Sequence, residues 1–203
     1  MLPGAHNPPL AHVSTNLVVG KSGAAKSRLL KKIESLRPAD QSWAFLVTDS
    51  DQHTVPESQR LAHGVPGSGA AVHVTAIAGG CICCTGSVEL RSTLVKLLRE
   101  ARPNRLIVEA PAMASTRELL RLLSDQWLAP ILDLKAVVLA LDHDEVFPED
   151  EADKERLAYA GAIASTGPNT KVVGAEVIEN FGLDSLDLPG PEKPKTRFQS
   201  GAD

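Results

Sequence analysis

Positive charge is in short supply: Lys and Arg total 21 against 25 Asp and Glu, a formal net charge of -4. Phosphodiester binding would need at least a local basic patch, so the overall charge gives no reason to expect nucleic acid as a partner. Long apolar runs are missing too. No segment reaches the roughly 18 apolar residues of a membrane span, and the opening "MLPGAHNPPLAHVST" lacks a basic stretch followed by an apolar run. These absences point to a cytoplasmic protein with no membrane association. Internal repeats are not visible by inspection. Cysteine is scarce: there are only 3, Cys81, Cys83 and Cys84, all inside "GGCICCTG". That clustering argues against a disulfide framework, because neighbouring Cys83 and Cys84 could join only through a strained vicinal ring and Cys81 to Cys83 is scarcely easier. In a reducing compartment, clustered thiols point to a metal or catalytic site instead.

What is present describes a globular α/β chain. A hydrophobic fraction of 43% with 23% charged residues in 203 residues suits one domain able to bury a single core. Residues 1–14, rich in proline, read as a flexible leader, and residues 187–203 as a disordered tail. Between them, over residues 15–186, β-favouring runs alternate with stretches of helical period. "NLVV" precedes "KSRLLKKIESLR"; "WAFLVT", "AVHVTAI", "SVELRSTLVKLLREA", "RLIVE", "STRELLRLLSDQW" and "AVVLAL" follow. Strands this apolar want cover on both faces, which predicts a mainly parallel sheet with helices on both sides. Ser115 with Glu118 three positions on predicts a helix start. Beyond Asp142 the pattern weakens: "HDEVFPEDEADKERL" has a solvated, acidic character, "YAGAIASTG" could extend a helix, and "TKVVGAEVI" could supply a late strand.

Two stretches carry chemistry. "VVGKSGAAKSRLL" sits where a phosphate loop belongs, with the pattern G-x-x-x-x-A-K-S from Gly20 to Ser27. Backbone N–H groups around Gly20 and Gly23 would surround phosphate oxygens, Lys26 would neutralise their charge, and the Ser27 hydroxyl would hold Mg²⁺. Ala25 stands where glycine usually precedes the lysine, and its Cβ narrows such a loop. Lys21 also fits the variant loop of dimeric ATPases of the MinD and nitrogenase iron-protein group, in which an early lysine reaches a nucleotide across a homodimer. In "GGCICCTG", thiolates at i, i+2 and i+3 can fill three of the four tetrahedral positions of Zn²⁺, with another residue or water as the fourth. His73 is one candidate. Redox chemistry and inert packing of the thiols remain open alternatives at this level.

The phosphate-loop-like turn, "GGCICCTGSVEL", "LIVEAPAMAST" and "VVLALD" together resemble the CobW family of metal-chaperone GTPases over about residues 16–145. The resemblance implies a P-loop NTPase-like domain that binds Zn²⁺ at the cysteine motif and passes it to a metal-receiving client protein under nucleotide control. By the same resemblance, Asp49 matches the family's acidic residue after the second strand and would be a fourth metal ligand, and Glu109 would organise Mg²⁺ or water in catalysis. The departures fall on nucleotide elements: Ala25 and Ala112 replace glycines, no N-K-x-D follows "VVLALD", and the domain reads as shortened after about residue 145. The expectation is therefore a zinc-binding metallochaperone or metal-homeostasis protein with weak or lost hydrolysis of GTP or ATP. An active GTPase metallochaperone and a variant-loop dimeric ATPase are the alternatives.

Overall fold

The computed structural model describes residues 12–49, 72–78, 86–143, 145–165, 170–178 and 181–191. The strands are β1 (Val13–Val19), β2 (Trp43–Asp49), β3 (Val72–Ala78), β4 (Arg105–Glu109), β5 (Leu132–Leu141), β6 (Val146–Phe147), β7 (Ala160–Ser165) and β8 (Lys171–Val172). The helices are α1 (Gly23–Ser35), α2 (Gly86–Ala101), α3 (Thr116–Leu123), α4 (Glu151–Tyr159) and α5 (Leu183–Asp187). Six strands form one sheet in the order β3-β2-β4-β1-β5-β7, and every neighbouring pair is parallel. β6 and β8 pair separately. This is the mainly parallel sheet that the alternation predicted, and it agrees with the P-loop NTPase-like fold that the family resemblance implied.

Strand residues divide between two cores with the period of two that a pleated strand imposes. Leu17 and Val19, Leu46, Leu106 and Val108, and Leu139 and Leu141 face one side, where the leucines of α2 and α3 cover them. Val18, Phe45, Ile107 and Val138 face the other, against Leu29, Leu30 and Ile33 of α1 and Leu186 of α5. On this second face β5 and β7 present Ala136, Ala140, Ala162 and Ala164, small side chains that let α1 and α5 lie close to the sheet. α1, which follows β1, thus packs on one face and α3, which follows β4, on the other. Since β1 and β4 are neighbours, their connections part to opposite faces and leave a crevice at the carboxyl ends of these strands, the usual place for a ligand in such sheets.

Several elements depart from the sequence expectations. "YAGAIAS" is not helical beyond Tyr159: it forms β7 at the sheet edge, paired with β5. "TKVVGAEVI" contributes only the two-residue β8, outside the main sheet. β1 begins at Val13, two residues ahead of the expected boundary. At the other end the chain stays on the sheet past residue 186, with Ala136 N–H donating to Leu188 C=O at 2.9 Å and Pro189 bridging Lys135. Among the described residues no helix is long and apolar enough to cross a membrane.

Candidate functional site

The β1–α1 turn is shorter than the sequence pattern suggests. Only Gly20, Lys21 and Ser22 connect the strand to a helix that already begins at Gly23. Ser22 is the N-cap: its Oγ accepts from Ala25 N–H at 3.1 Å and its C=O from Lys26 N–H at 3.1 Å. Alanine favours helix far more than glycine does, so Ala24 and Ala25 wind up residues that a glycine-rich loop would leave open. The N–H groups of Ala25 and Lys26 in the first turn are therefore satisfied internally. Gly20 is required for another reason: a Cβ there would lie 2.5 Å from the Ala140 carbonyl oxygen of β5.

Lys26, one helical turn on, points back into the crevice. Its ammonium is 3.2 Å from Glu109 Oε1 and donates to Ala110 C=O at 2.7 Å, and its side chain is 1% exposed. The sheet thus brings the predicted phosphate lysine and the predicted catalytic carboxylate together, but as partners of each other. Ser27, half-buried, follows on the same helix. Ala112, three residues beyond Glu109, has its carbonyl bound by the guanidinium of Arg156 in α4.

The rim beside this crevice is acidic, and here the structure corrects the reading of "HDEVFPEDEADKERL" as a solvated stretch. Phe147 and Asp153 are fully buried and Arg156 nearly so. Asp150 caps α4 by accepting from Asp153 N–H at 2.8 Å, and Asp153 Oδ1 accepts from Arg156 at 2.6 Å. Lys21 Nζ faces three carboxylates of this segment: Glu149 at 2.6 Å, Glu145 at 3.4 Å and Asp153 at 3.7 Å. The hydrogen bond to Glu149 raises the Lys21 pKa above its ordinary value, outweighing the opposing effect of burial. Asp142, at the end of β5, accepts from Ser22 Oγ at 3.0 Å and pairs with Arg28 at 2.5 Å. Its carboxyl is lowered to about 2, chiefly by the His143 ring and N–H, with Ser22 and Arg28 adding to the effect. Asp142, Glu145, Glu149, Asp153 and Arg156 were not anticipated from sequence as site residues. The signal available was Asp150, an N-cap residue three positions before Asp153.

As arranged, these groups are engaged with one another. Lys21, Lys26 and Arg28 are each paired with carboxylates, and Ser22 holds the N–H groups of Ala25 and Lys26. A polyphosphate with Mg²⁺ would have to displace these contacts before it could be held.

The cysteines Cys81, Cys83 and Cys84 lie outside the described residues. Their chain segment is bounded by the end of β3 at Ala78 and the start of α2 at Gly86. Asp49 is the last residue of β2, and its backbone is in register with Ala78. His73 is in register with Ala44, near the start of β3. At about 3.3 Å per residue it lies roughly 16 Å before Ala78, so it sits toward the opposite end of the strand from the cysteine segment. Among the described residues no group of three or more His, Cys, Asp or Glu side chains could hold a metal.

Comparison with known proteins agrees with this architecture. The zinc chaperone YeiR of Escherichia coli (strain K12) is 29% identical over 155 residues, which cover 74% of this chain and 45% of that protein. The chain thus spans a little under half the length of this curated relative. No solved structure matches it. The family model for the CobW/HypB/UreG nucleotide-binding domain matches residues 14–166, from β1 to just past the end of β7. The chain belongs to the CobW/HypB/UreG nucleotide-binding domain family.

Proposed function

We propose that this domain takes up Zn²⁺ through Cys81, Cys83 and Cys84, with Asp49 as the fourth donor, and passes the ion to a client protein, while its nucleotide site binds weakly. The observation that carries this reading is the register of Asp49 with Ala78. Paired parallel strands lie about 4.8 Å apart, and the three residues from Ala78 to Cys81 span at most about 10 Å, so the carboxylate-bearing strand end stands beside the root of the cysteine segment. Three thiolates and one carboxylate make a tetrahedral set suited to Zn²⁺. A single hard oxygen among soft sulfurs is the donor most readily exchanged, which suits cargo to be handed on. The relative named as a zinc chaperone supports zinc as the metal. Binding deprotonates the thiols, so affinity falls as pH drops.

Weak nucleotide handling is the second half of the reading. The Lys26–Glu109 pair and the Ser22 cap occupy the groups a phosphate would need. One observation favours the alternative of a working GTPase: Lys26 and Glu109 do meet at the carboxyl edge of the sheet. The dimeric ATPase draws no such support, since Lys21 is held by carboxylates of its own chain.

The test is metal analysis of protein purified without added metal. Near-stoichiometric zinc is expected for the native chain and little for the Cys81→Ser/Cys83→Ser/Cys84→Ser variant. Cys83→Ser should cost more affinity than Asp49→Asn, because it removes a soft donor. Full zinc in the triple variant would place the metal elsewhere. GTP turnover measured on the same samples separates the two readings of the nucleotide site.

A further inference from the structure

Lys21 is the cation nearest the start of α1 that is still partly open to solvent, and three carboxylates face its ammonium. Its side chain is 35% exposed, with Glu149 and Glu145 on it at 2.6 and 3.4 Å. Glu145 is fixed from behind: Oε2 accepts from Asp142 N–H at 2.7 Å, whereas buried Oε1 has no hydrogen bond among the described residues and lies 3.4 Å from Lys21 Nζ. Glu149 is fixed through its backbone, whose N–H donates to Asp153 Oδ2 at 3.2 Å. Asp153 is in turn held by Arg156, the residue that also binds Ala112 C=O. The Glu145 carboxylate is therefore held in place beside the ammonium, and the backbone at Glu149 is positioned so that its exposed side chain reaches the same group.

We propose that Glu145 and Glu149 are an acidic latch on Lys21, an autoinhibitory contact that keeps polyphosphate anions away from the β1–α1 turn. The latch acts twice: it occupies the ammonium, and its negative charge repels an approaching anion. Releasing it leaves Lys21 facing the more distant Asp153 at 3.7 Å, and Glu149, 63% exposed, bears on neither core. The proposal rests on reading the β1–α1 turn as the place where phosphate binds. It goes beyond that reading in assigning the weakness of binding to two named side chains outside the turn.

Calorimetric titration with inorganic tripolyphosphate tests it, using the full chain, its Glu145→Gln/Glu149→Gln variant, and both again with Lys21→Ala. The glutamine pair should bind tripolyphosphate about fivefold tighter than the native chain, the scale expected when a partly exposed ion pair is removed. That gain should vanish when Lys21 is alanine. A gain below about twofold, no binding by any variant, or a gain that persists without Lys21 overturns the latch. Should Glu145→Gln unfold the chain, Glu149→Gln alone carries the test, with about a twofold gain expected. Sub-micromolar GTP binding by the native chain would defeat the weak-nucleotide reading, and zinc content measured in parallel reports on the metal reading independently of both.

Discussion

Replacing Lys26 by methionine tests whether the centre of the nucleotide site is a structural ion pair. The substitution keeps the length of the side chain and removes the ammonium 3.2 Å from Glu109 Oε1 and 2.7 Å from Ala110 C=O. Removing one member of a buried pair costs about 3 to 5 kcal/mol, because the remaining charge stays desolvated. Glu109 is 11% exposed and so keeps some contact with water, which places the expected loss at the lower end, ~3 kcal/mol. For a domain of this size that is a fall in Tm of roughly 6 to 12 °C. Glu109→Gln alone should cost ~2 kcal/mol, and Lys26→Met/Glu109→Gln only ~1.5 kcal/mol, since the double variant leaves neither charge of this pair without the other. Urea unfolding followed by far-UV circular dichroism gives all three values, with an unchanged slope marking an intact native state. A loss below ~1 kcal/mol for Lys26→Met, or single costs that add to the double within ~0.5 kcal/mol, refutes the reasoning.

Asp142 sets an acid limit. Its carboxyl is lowered from an ordinary 3.8 to about 2, so its stabilising contribution is complete above pH 3.8 and is lost as pH falls through about 2. The stability gap between native chain and Asp142→Asn should shrink over that window, and a gap that stays constant or widens on acidification contradicts the assignment. Arg105→Ala should cost ~3 kcal/mol in urea unfolding: Arg105 donates to buried Asn16 Oδ1 at 2.7 Å, pairs with Asp187 and lies 5.3 Å over the Trp43 ring, so its loss orphans a buried acceptor and removes a cation–π contact. A cost under ~1 kcal/mol would mean that α5 is not anchored through this residue. Ala25→Gly should lower stability by ~1 kcal/mol by weakening the first turn of α1, and should raise tripolyphosphate affinity if that turn must unwind to admit phosphate. Unchanged affinity, read by calorimetry, removes the early helix start from the causes of weak binding.

Much of the fold was legible because its strands are apolar on both faces and its helices carry leucines at helical spacing. The Ser115 cap was legible too: its Oγ accepts from Glu118 N–H at 3.3 Å, although Glu118 turns its carboxylate to Arg121 and Ser115 donates to Glu155. β7 was not legible. "AGAIAS" lacks β-branched residues except Ile163, and it is a strand because an alanine-rich edge fits beside β5 under α1 and α5. The acidic segment failed for a different reason. A run of Glu and Asp reads as solvated unless its counter-ions are known, and the partner of Glu149 is Lys21, 128 residues away in the chain. Local pattern carries no information about such a pairing. The early start of α1, by contrast, was written in Ser22, Ala24 and Ala25 and was obscured by reading the segment only as a phosphate loop.

Strand order gives the two halves of the carboxyl edge a common border that no motif displays. β2, which ends at Asp49 beside the root of the cysteine segment, pairs on one side with β3 and on the other with β4, with Leu46 in register with Val108. Glu109 follows Val108 directly, so the carboxylate that holds Lys26 and the strand that ends in Asp49 are neighbours in one sheet. On the far side of β4, β1 leads into the turn that carries Lys21. From Lys21 to Asp49 the edge therefore runs through three adjacent strands, β1, β4 and β2, and the Lys26–Glu109 pair sits on the middle one. Any ligand that separates Lys26 from Glu109 changes the charge one strand, about 4.8 Å, from the strand bearing the proposed metal carboxylate. The sheet thus sets the proposed anion site and the proposed metal site on neighbouring strands, and it does so by topology alone.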